Sequence, residues 1–299
     1  MRSRKPGIVT DRLWYLGLEE SGVYFLRGDR GSALINGGMS YILPSVLDQM
    51  RDFGIGPEEI TNLVILHSHF DHVGIAPYFK RKYPRIELTA SHKAVEIFQN
   101  PKAVEFINSY NRLSAGTRSD KLAEFDLEWR GDLEVRGVGE GDIMDLGGIG
   151  LTFYETPGHS NCSIAAYEPA TGALFASDAV GIPFAERLFP SMNTNIDEFL
   201  QSLRKLKSLE VSIVCADHYG YITGDEARTI LTETIDEGLK WRNRLKDCLL
   251  KNQGDLDAAA REITASLYEE MPDYFISAEI LQGVFRQTLK YIAKTSTAK

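Results

Sequence analysis

Short hydrophobic runs separated by polar turns occupy most of the chain. The runs at 23–27 and 32–35 flank a glycine-containing turn, a pattern that predicts a β-hairpin. Residues 63–66 form a continuous apolar run, which is typical of a strand covered on both faces. Strand patterns alternate with helical patterns, so we expect a core domain over 1–224 with a helical insertion at about 93–128.

The pattern changes after the predicted core. Apolar residues then recur at helical spacing, as at Ala259, Ile263 and Leu267. Gly254 and Asp255 predict the end of one helix and the cap of the next. We therefore predict a C-terminal helical region over 225–299 that covers the edge of the active site. Its apolar surface also suits contact between the two copies of a homodimer.

Composition and charge narrow the classes of partner. The chain has 299 residues, 43% of them hydrophobic and 25% charged, with a formal net charge of -9. An acidic surface repels phosphate backbones, so we expect no nucleic acid partner. No apolar run approaches the ~18 residues of a membrane span, and the N-terminus lacks a signal-peptide pattern. We expect a cytoplasmic protein with no membrane partner, and its three cysteines as reduced, buried thiols.

One compact motif carries the chemistry. His67, His69, Asp71 and His72 lie directly after the apolar run that ends at residue 66. Neutral imidazoles and carboxylates are the ligands that zinc and ferrous iron take in proteins. In an extended strand, residues two apart project to the same side, which would bring His67 and His69 together. The motif therefore predicts a metal site at the end of this strand.

Three further residues fit the same site. His159, Asp178 and His218 each follow an apolar strand, at the edge where sheets containing parallel strands bind ligands. Of the six histidines in the chain, five occupy such positions. The sixth, His92, has no second ligand nearby in the sequence, and we expect it to lie at the surface or to support a metal ligand rather than to bind metal.

These residues resemble the pattern of the metallo-β-lactamase superfamily. The resemblance rests on the His67–His72 signature and on Gly158-His159, Asp178 and His218 in the expected order. It implies an α+β fold, the αββα sandwich of two mixed sheets with helices outside, and metals at one edge. It also implies the ligand sets: one ion held by His67, His69 and His159, the other by Asp71, His72 and His218, with Asp178 as the bridge.

The helical tail and the insertion narrow the resemblance. Together with the hairpin that leads into Asn36-Gly37-Gly38, they are similar to PqsE-like quinolone-signal response proteins and to glyoxalase II-like thioesterases. One position departs from the pattern, because Asp217 precedes His218 where many members carry glycine. This carboxylate either supports a metal ligand or lies in a solvated loop, and the sequence leaves both roles open.

The resulting hypothesis is a dinuclear metal-dependent hydrolase. Two divalent ions, zinc or iron, with manganese also suitable, would share a bridging hydroxide that attacks a carbonyl carbon. The expected partner is a small-molecule acyl substrate, a thioester of the acyl-CoA or glutathione type or a related ester. Asp71 is the expected catalytic residue, since it can take up a proton as well as bind metal.

Three alternatives remain at this stage. The first is a lactonase or another ester hydrolase, which would use the same metals on a different carbonyl substrate. The second is a PqsE-like regulatory binding protein that retains its metal site. The third is a mononuclear iron oxidoreductase resembling persulfide dioxygenases, for which one metal per chain is expected.

Overall fold

The computed structural model describes residues 1–184 and 186–296, without the side chains of 119–121 and 296. The chain forms two compact units. The first comprises Met1–Glu155, Cys162–Ser177 and Leu209–Arg228. The second comprises Thr156–Asn161 and the described residues of Asp178–Ser208 and Thr229–Lys299.

The described residues contain sixteen strands and eight α-helices. The strands are β1 (Arg2–Ser3), β2 (Gly7–Thr10), β3 (Leu13–Leu18), β4 (Ser21–Arg27), β5 (Ser32–Ile35), β6 (Asn62–Ile65), β7 (Glu87–Ser91), β8 (Val135–Val138), β9 (Ile143–Asp145), β10 (Gly150–Glu155), β11 (Ile164–Glu168), β12 (Ala173–Phe175), β13 (Ile182–Phe184), β14 (Arg187–Phe189), β15 (Ile213–Cys215) and β16 (Tyr221–Thr223). The helices are α1 (Leu43–Asp52), α2 (Ala76–Lys82), α3 (His92–Phe98), α4 (Pro101–Ala115), α5 (Ile196–Leu206), α6 (Asp225–Lys251), α7 (Leu256–Glu270) and α8 (Ala278–Ser296).

The first sheet of the first unit has the strand order β2-β3-β4-β5-β6-β7-β8. The predicted hairpin is confirmed, since β4 and β5 pair antiparallel with Tyr24 opposite Ile35. From β5 to β8 the strands run parallel. The carboxyl ends of β5, β6 and β7 therefore meet at one edge of the sheet, where the His67–His72 motif begins.

The second sheet has the order β1-β16-β15-β12-β11-β10-β9. All neighbours are antiparallel except β12 and β15, which run parallel with Phe175 opposite Cys215. The segments that follow these two strands, at Ser177 and at Asp217-His218, therefore leave the sheet at the same end.

The two sheets face each other across the core of the first unit. Side chains from both sheets form one apolar cluster, in which the Tyr24 and Phe175 rings lie 5.7 Å apart. The Tyr24 hydroxyl donates to the carbonyl of Ala216 at 2.7 Å, so this buried aromatic residue also fixes the segment after β15. Helix α1 lies on β3, and α2 and α3 lie on β7, on the outer face of the first sheet.

The predicted insertion at 93–128 is helical only in part. Helices α3 and α4 cover its first half, and a 3-10 segment follows at Gly116–Leu122. Trp129, just beyond, is buried, stacks on Phe98 with ring centroids 4.4 Å apart, and donates its indole N–H to the Val73 carbonyl at 3.1 Å. The insertion is thus anchored to the loop that follows the metal motif.

The second unit contains the β13-β14 hairpin, α5, α7, α8 and most of α6. Trp241 of α6 stacks on Phe285 of α8, with ring centroids 6.0 Å apart. Asp255 caps α7 by accepting the backbone N–H groups of Asp257 and Ala258, which confirms the predicted cap. The domain boundary at residue 224 and the covering of the active-site edge stay predictions.

Candidate metal centre

The His67–His72 motif lies in the loop after β6. The strand ends at Ile65, earlier than the strand geometry expected for His67 and His69, and a 3-10 turn at Phe70–His72 follows. His67 and His69 still lie side by side, with ring centroids 4.6 Å apart. His67, Asp71 and His72 are buried, so this loop turns inward despite its polarity.

A tight turn after β5 holds the motif loop in place. The Gly37 N–H donates to the His72 carbonyl at 2.9 Å, and the Gly74 N–H donates to the Gly38 carbonyl at 2.7 Å. A Cβ atom at Gly37 would lie 2.8 Å from the His72 carbonyl oxygen, so only glycine allows this approach. The supporting role of this turn was not predicted from the sequence.

Three of the predicted ligands converge within the first unit. The ligand atoms of Asp71, His72 and His218 all lie within 4.8 Å of one another. The two Nε2 atoms of His72 and His218 are 3.2 Å apart, and they lie 3.5 and 3.6 Å from Asp71 Oδ2. His218 Nδ1 donates to the Glu20 carbonyl at 2.6 Å, and His72 Nδ1 lies 3.0 Å from Asp217 Oδ2.

These contacts determine where the protons are. A carbonyl or carboxylate oxygen only accepts, so neutral His72 and His218 carry their protons on Nδ1. Their Nε2 lone pairs then face each other and the Asp71 carboxylate in a buried space. Such an arrangement is repulsive unless a cation lies between the three groups. A divalent metal ion fits this donor set in both charge and ligand chemistry.

Two further predicted ligands lie together in the second unit. His159 Nε2 is 3.4 Å from Asp178 Oδ2, and both side chains are buried. His159 Nδ1 lies 2.9 Å from the Ser191 carbonyl and 3.0 Å from the Ser191 hydroxyl, so the ring again directs Nε2 toward a carboxylate. Ser191 was not predicted from the sequence, because a backbone carbonyl partner leaves no residue signature.

The cysteines, His92 and Tyr219 are not among the predicted metal ligands. Cys162, Cys215 and Cys248 are buried thiols that form no disulfide, as predicted. Burial, and then the Asp217 charge, raise the pKa of the Cys215 thiol well above its usual value, so this cysteine is a weak nucleophile. His92 is exposed, which agrees with the surface role among the two roles expected for it. The guanidinium of Arg4 lies over the Tyr219 ring at 5.4 Å, which favours a packing role for that tyrosine.

None of the helices in the described chain has both the length and the apolar character that a membrane span requires.

Comparison with known proteins identifies the class. Two facing mixed sheets with clustered histidine and aspartate residues at strand ends define a metal-binding α+β protein. The family model of the metallo-beta-lactamase superfamily matches residues 17–218. The chain belongs to the metallo-beta-lactamase superfamily, and the predicted fold class is confirmed.

Solved structures share this fold along most of the chain. The metallo-beta-lactamase family protein TTHA1429 from Thermus thermophilus has a TM-score of 0.66 at 20% identity, covering 95% of this chain and 94% of that one. BJP-1, a subclass B3 metallo-beta-lactamase of Bradyrhizobium japonicum, has a TM-score of 0.59 at 19% identity, with 82% and 96% covered. At these identities the likeness shows the fold alone.

Curated relatives carry different activities. A hydroxyacylglutathione hydrolase from Rhodopseudomonas palustris is 27% identical over 161 residues, which is 54% of this chain and 49% of that protein. A coenzyme F420H(2) oxidase from Methanothermobacter marburgensis is 27% identical over 163 residues, 53% of this chain and 34% of that protein. The chain thus spans about half the length of the hydrolases and a third of the oxidase. Membership in the superfamily establishes the fold and agrees with a metal-binding site formed by histidine and aspartate residues.

Proposed function

We propose that this protein is a dinuclear metal-dependent hydrolase of acyl thioesters. The observation that carries the proposal is the convergence of Asp71, His72 and His218 on a point that requires a cation. Similarity to hydroxyacylglutathione hydrolases supports the substrate class, because a hydroxyacyl group joined to glutathione sulfur is a thioester. The substrate is then a small acyl thioester of the glutathione or coenzyme A type.

The ligand assignment follows the family pattern. One divalent ion, zinc or iron, with manganese also suitable, is assigned to one triad and the second ion to another. The proposed sets are His67, His69 and His159 for the first ion and Asp71, His72 and His218 for the second, with Asp178 as the bridge.

The reaction needs a proton acceptor, a proton donor and protection from bulk water. When bound, two divalent ions supply a water molecule of lowered pKa and polarise the substrate carbonyl. Asp71 is 6% exposed, so a proton that its carboxylate accepts from the attacking water stays within the site. Asp71 then returns this proton to the departing thiolate. Thioester and water thereby give a carboxylic acid and a thiol.

A substrate panel on the metal-reloaded protein tests this proposal. Chelated protein would be reloaded separately with Zn²⁺, Fe²⁺ or Mn²⁺ and assayed on acyl-glutathione, acyl-CoA, aryl ester and lactone substrates. We expect thioester turnover with two metal equivalents per chain. Turnover confined to lactones or esters would replace the thioester assignment. No turnover in any loaded form would contradict hydrolysis and leave the regulatory binding role as the better account.

The Asp71→Asn variant tests the proposed proton acceptor. It retains the shape of the side chain but is a far weaker base, so we expect kcat on the best thioester to fall about 10²-fold or more. Asp48→Asn, an equivalent change on the exposed face of α1, is the matched control and should leave kcat unchanged. Equal kcat in Asp71→Asn and wild-type protein, at equal metal content, would remove Asp71 from the mechanism.

A second candidate function is an iron-dependent oxidoreductase, and the similarity to coenzyme F420H(2) oxidases supports the oxidoreductase class. In the mononuclear form of this candidate, the protein purified from iron-supplemented cells contains one iron per chain and consumes oxygen with a thiol-derived substrate. Elemental analysis and an oxygen electrode distinguish it from the hydrolase, for which two metal equivalents and no oxygen consumption are expected.

A further inference from the structure

A serine and an aspartate contact the Nδ1 atoms of two of the motif histidines. Ser177 Oγ lies 3.2 Å from His67 Nδ1 and 3.2 Å from His72 Nδ1. The same hydroxyl contacts Asp217 Oδ2, which also lies 3.0 Å from His72 Nδ1. Ser177 is 3% exposed and Asp217 is 1% exposed, so bulk water does not substitute for these contacts.

Proton accounting shows what this cluster does. A carboxylate only accepts, so the Ser177 hydroxyl donates its one proton to Asp217. The serine oxygen then has only lone pairs to offer, and both imidazoles must present an N–H at Nδ1 to meet them. Each ring consequently directs an unprotonated Nε2 away from Ser177. The Ser177 hydroxyl therefore sets the tautomer of His67, and it acts together with the Asp217 carboxylate to set that of His72.

The backbone at Ser177 is unusual for a serine. Its φ is +49°, in the left-handed region where glycine is unstrained and other residues are uncommon. A buried non-glycine residue in this conformation is tolerated when its side chain makes contacts that glycine cannot make. The three contacts of Oγ are of that kind.

The second carboxylate oxygen of Asp217 is a buried hydrogen-bond acceptor. Among the described residues, Asp217 Oδ1 is buried without a hydrogen-bond partner. A buried carboxylate of this kind is costly unless a cation compensates it. A cation bound beyond His72, where the Nε2 atoms of His72 and His218 converge with Asp71, would compensate this carboxylate through the His72 ring.

We propose that Ser177 and Asp217 are positioning residues for the metal centre. Ser177 orients His67, a proposed ligand of the first ion, and His72, a proposed ligand of the second. Asp217 increases the basicity of His72. This role rests on the proposed dinuclear site. It assigns Asp217 to the support of a metal ligand, which is one of the two roles that the sequence allows. Partners of this kind change metal affinity by about 10- to 100-fold.

Metal competition against a chelator tests the proposal. Zn²⁺ would be titrated into metal-free wild-type, Ser177→Gly and Asp217→Asn proteins in the presence of a colorimetric chelator. We expect Ser177→Gly to weaken both zinc sites about 10- to 100-fold, since it removes a contact to one ligand of each. We expect Asp217→Asn to weaken mainly one site, because its carboxylate contacts only His72 among the proposed ligands.

Glu168→Gln is the matched control. Glu168 is also a buried carboxylate, 1% exposed, but it accepts the backbone N–H groups of Ala170 and Thr171 in the turn between β11 and β12. Its loss is expected to lower the melting temperature without changing zinc affinity. A zinc affinity that falls equally in Glu168→Gln and Asp217→Asn would indicate a merely structural role for Asp217.

The imidazole tautomers give a readout that needs no metal. Long-range ¹H–¹⁵N spectra of the metal-free wild-type protein should show His67 and His72 protonated on Nδ1. Ser177→Gly should show a tautomer mixture at His67, whereas the Asp217 carboxylate keeps His72 protonated on Nδ1. If wild-type protein binds no zinc at all, the dinuclear proposal fails. If wild-type protein binds two ions and Ser177→Gly binds both as tightly with unchanged tautomers, only the positioning role is wrong.

Discussion

Gly158 sets the backbone conformation next to His159. Its φ is +127°, and a Cβ atom there would lie 2.2 Å from the Phe199 nitrogen and 2.3 Å from the Phe199 Cα. Its carbonyl accepts the N–H groups of Thr194 and Asn195, each at 3.0 Å, just before α5 begins. The turn that carries His159 is therefore fixed against the first turns of α5, and no other residue type fits the position.

The Gly158→Ala change is expected to lower the free energy of unfolding by about 2 kcal/mol or more. Strained φ values and overpacked contacts each cost about 1–3 kcal/mol. Urea denaturation of the metal-free protein measures the change without interference from metal binding. A stability equal to that of the wild type would show that this turn rearranges freely.

Gly283→Ala is the matched control for the same substitution. Gly283 lies inside α8, is exposed, and has no atom within 4 Å of the added Cβ. Alanine is favoured over glycine in a helix interior by about 0.5–1 kcal/mol, so this variant should be slightly more stable than wild type.

At the residue scale, the sequence identified the groups that are chemically rare. Histidines and aspartates after apolar strands are recognisable because few other roles explain them there. The groups that orient these side chains are not recognisable in the sequence. His218 Nδ1, for example, donates to the backbone carbonyl of Glu20, and every residue has such a carbonyl. Asp217 was visible beside His218, but only the structure shows that its carboxylate faces His72.

At the scale of elements, a polar contact links helices of the second unit. The Tyr291 hydroxyl of α8 donates to Asp197 Oδ2 of α5 at 2.6 Å, and Arg242 of α6 donates to Oδ1 at 2.8 Å. The Tyr291 hydrogen bond, followed by the Arg242 charge, lowers the pKa of Asp197. Burial, followed by the same hydrogen bond, raises the pKa of Tyr291 to about 12.

The Tyr291→Phe change should lower the free energy of unfolding at neutral pH, by less than about 1 kcal/mol because solvent screens this half-exposed site. A raised tyrosine pKa stabilises the fold fully below the unfolded value of about 10. That contribution is lost as pH rises toward the folded pKa of about 12. The lowered Asp197 pKa stabilises above about pH 3.9 and is lost as pH falls through the folded value.

Urea titrations of wild-type and Tyr291→Phe protein across this pH range measure the effect. The stability difference should be largest between about pH 4 and 10 and should shrink at both ends. A double-mutant cycle with Asp197→Asn isolates the coupling between the two side chains. A coupling of zero, or a difference that stays constant up to pH 12, would rule out the hydrogen bond as its source.

Strands and helices were predictable where the local sequence pattern determines them. The β4-β5 hairpin and the strand β6 follow from apolar runs and a turn, and the helices of the tail follow from their spacing. Short edge strands were missed, such as β9, in which Ile143 is 65% exposed. A three-residue strand of this kind exists only because it pairs with β10, and that pairing is a long-range contact with no local pattern.

At the scale of the whole molecule, the ligand residues create an unfavourable burial of polar groups. His67 and His72 are fully buried, and His218 is 1% exposed. In the metal-free protein the Nε2 lone pairs of His72 and His218 face the Asp71 carboxylate, which opposes folding. An ion that binds only the folded protein removes this cost, and it stabilises the fold by mass action as well.

Metal removal should therefore lower the melting temperature of the whole chain. Free Zn²⁺ at 100 times the dissociation constant of one site contributes about 2.7 kcal/mol, which corresponds to roughly 4 °C for a chain of 299 residues. Thermal denaturation before and after dialysis against a chelator measures the shift, and added Zn²⁺ should restore it. His92→Ala, at an exposed histidine outside the ligand set, should show the full shift, whereas Asp71→Asn should show a smaller one. Identical melting temperatures with and without metal would mean that no ion stabilises the buried histidines. The inference that Asp71, His72 and His218 require a cation between them would then be wrong.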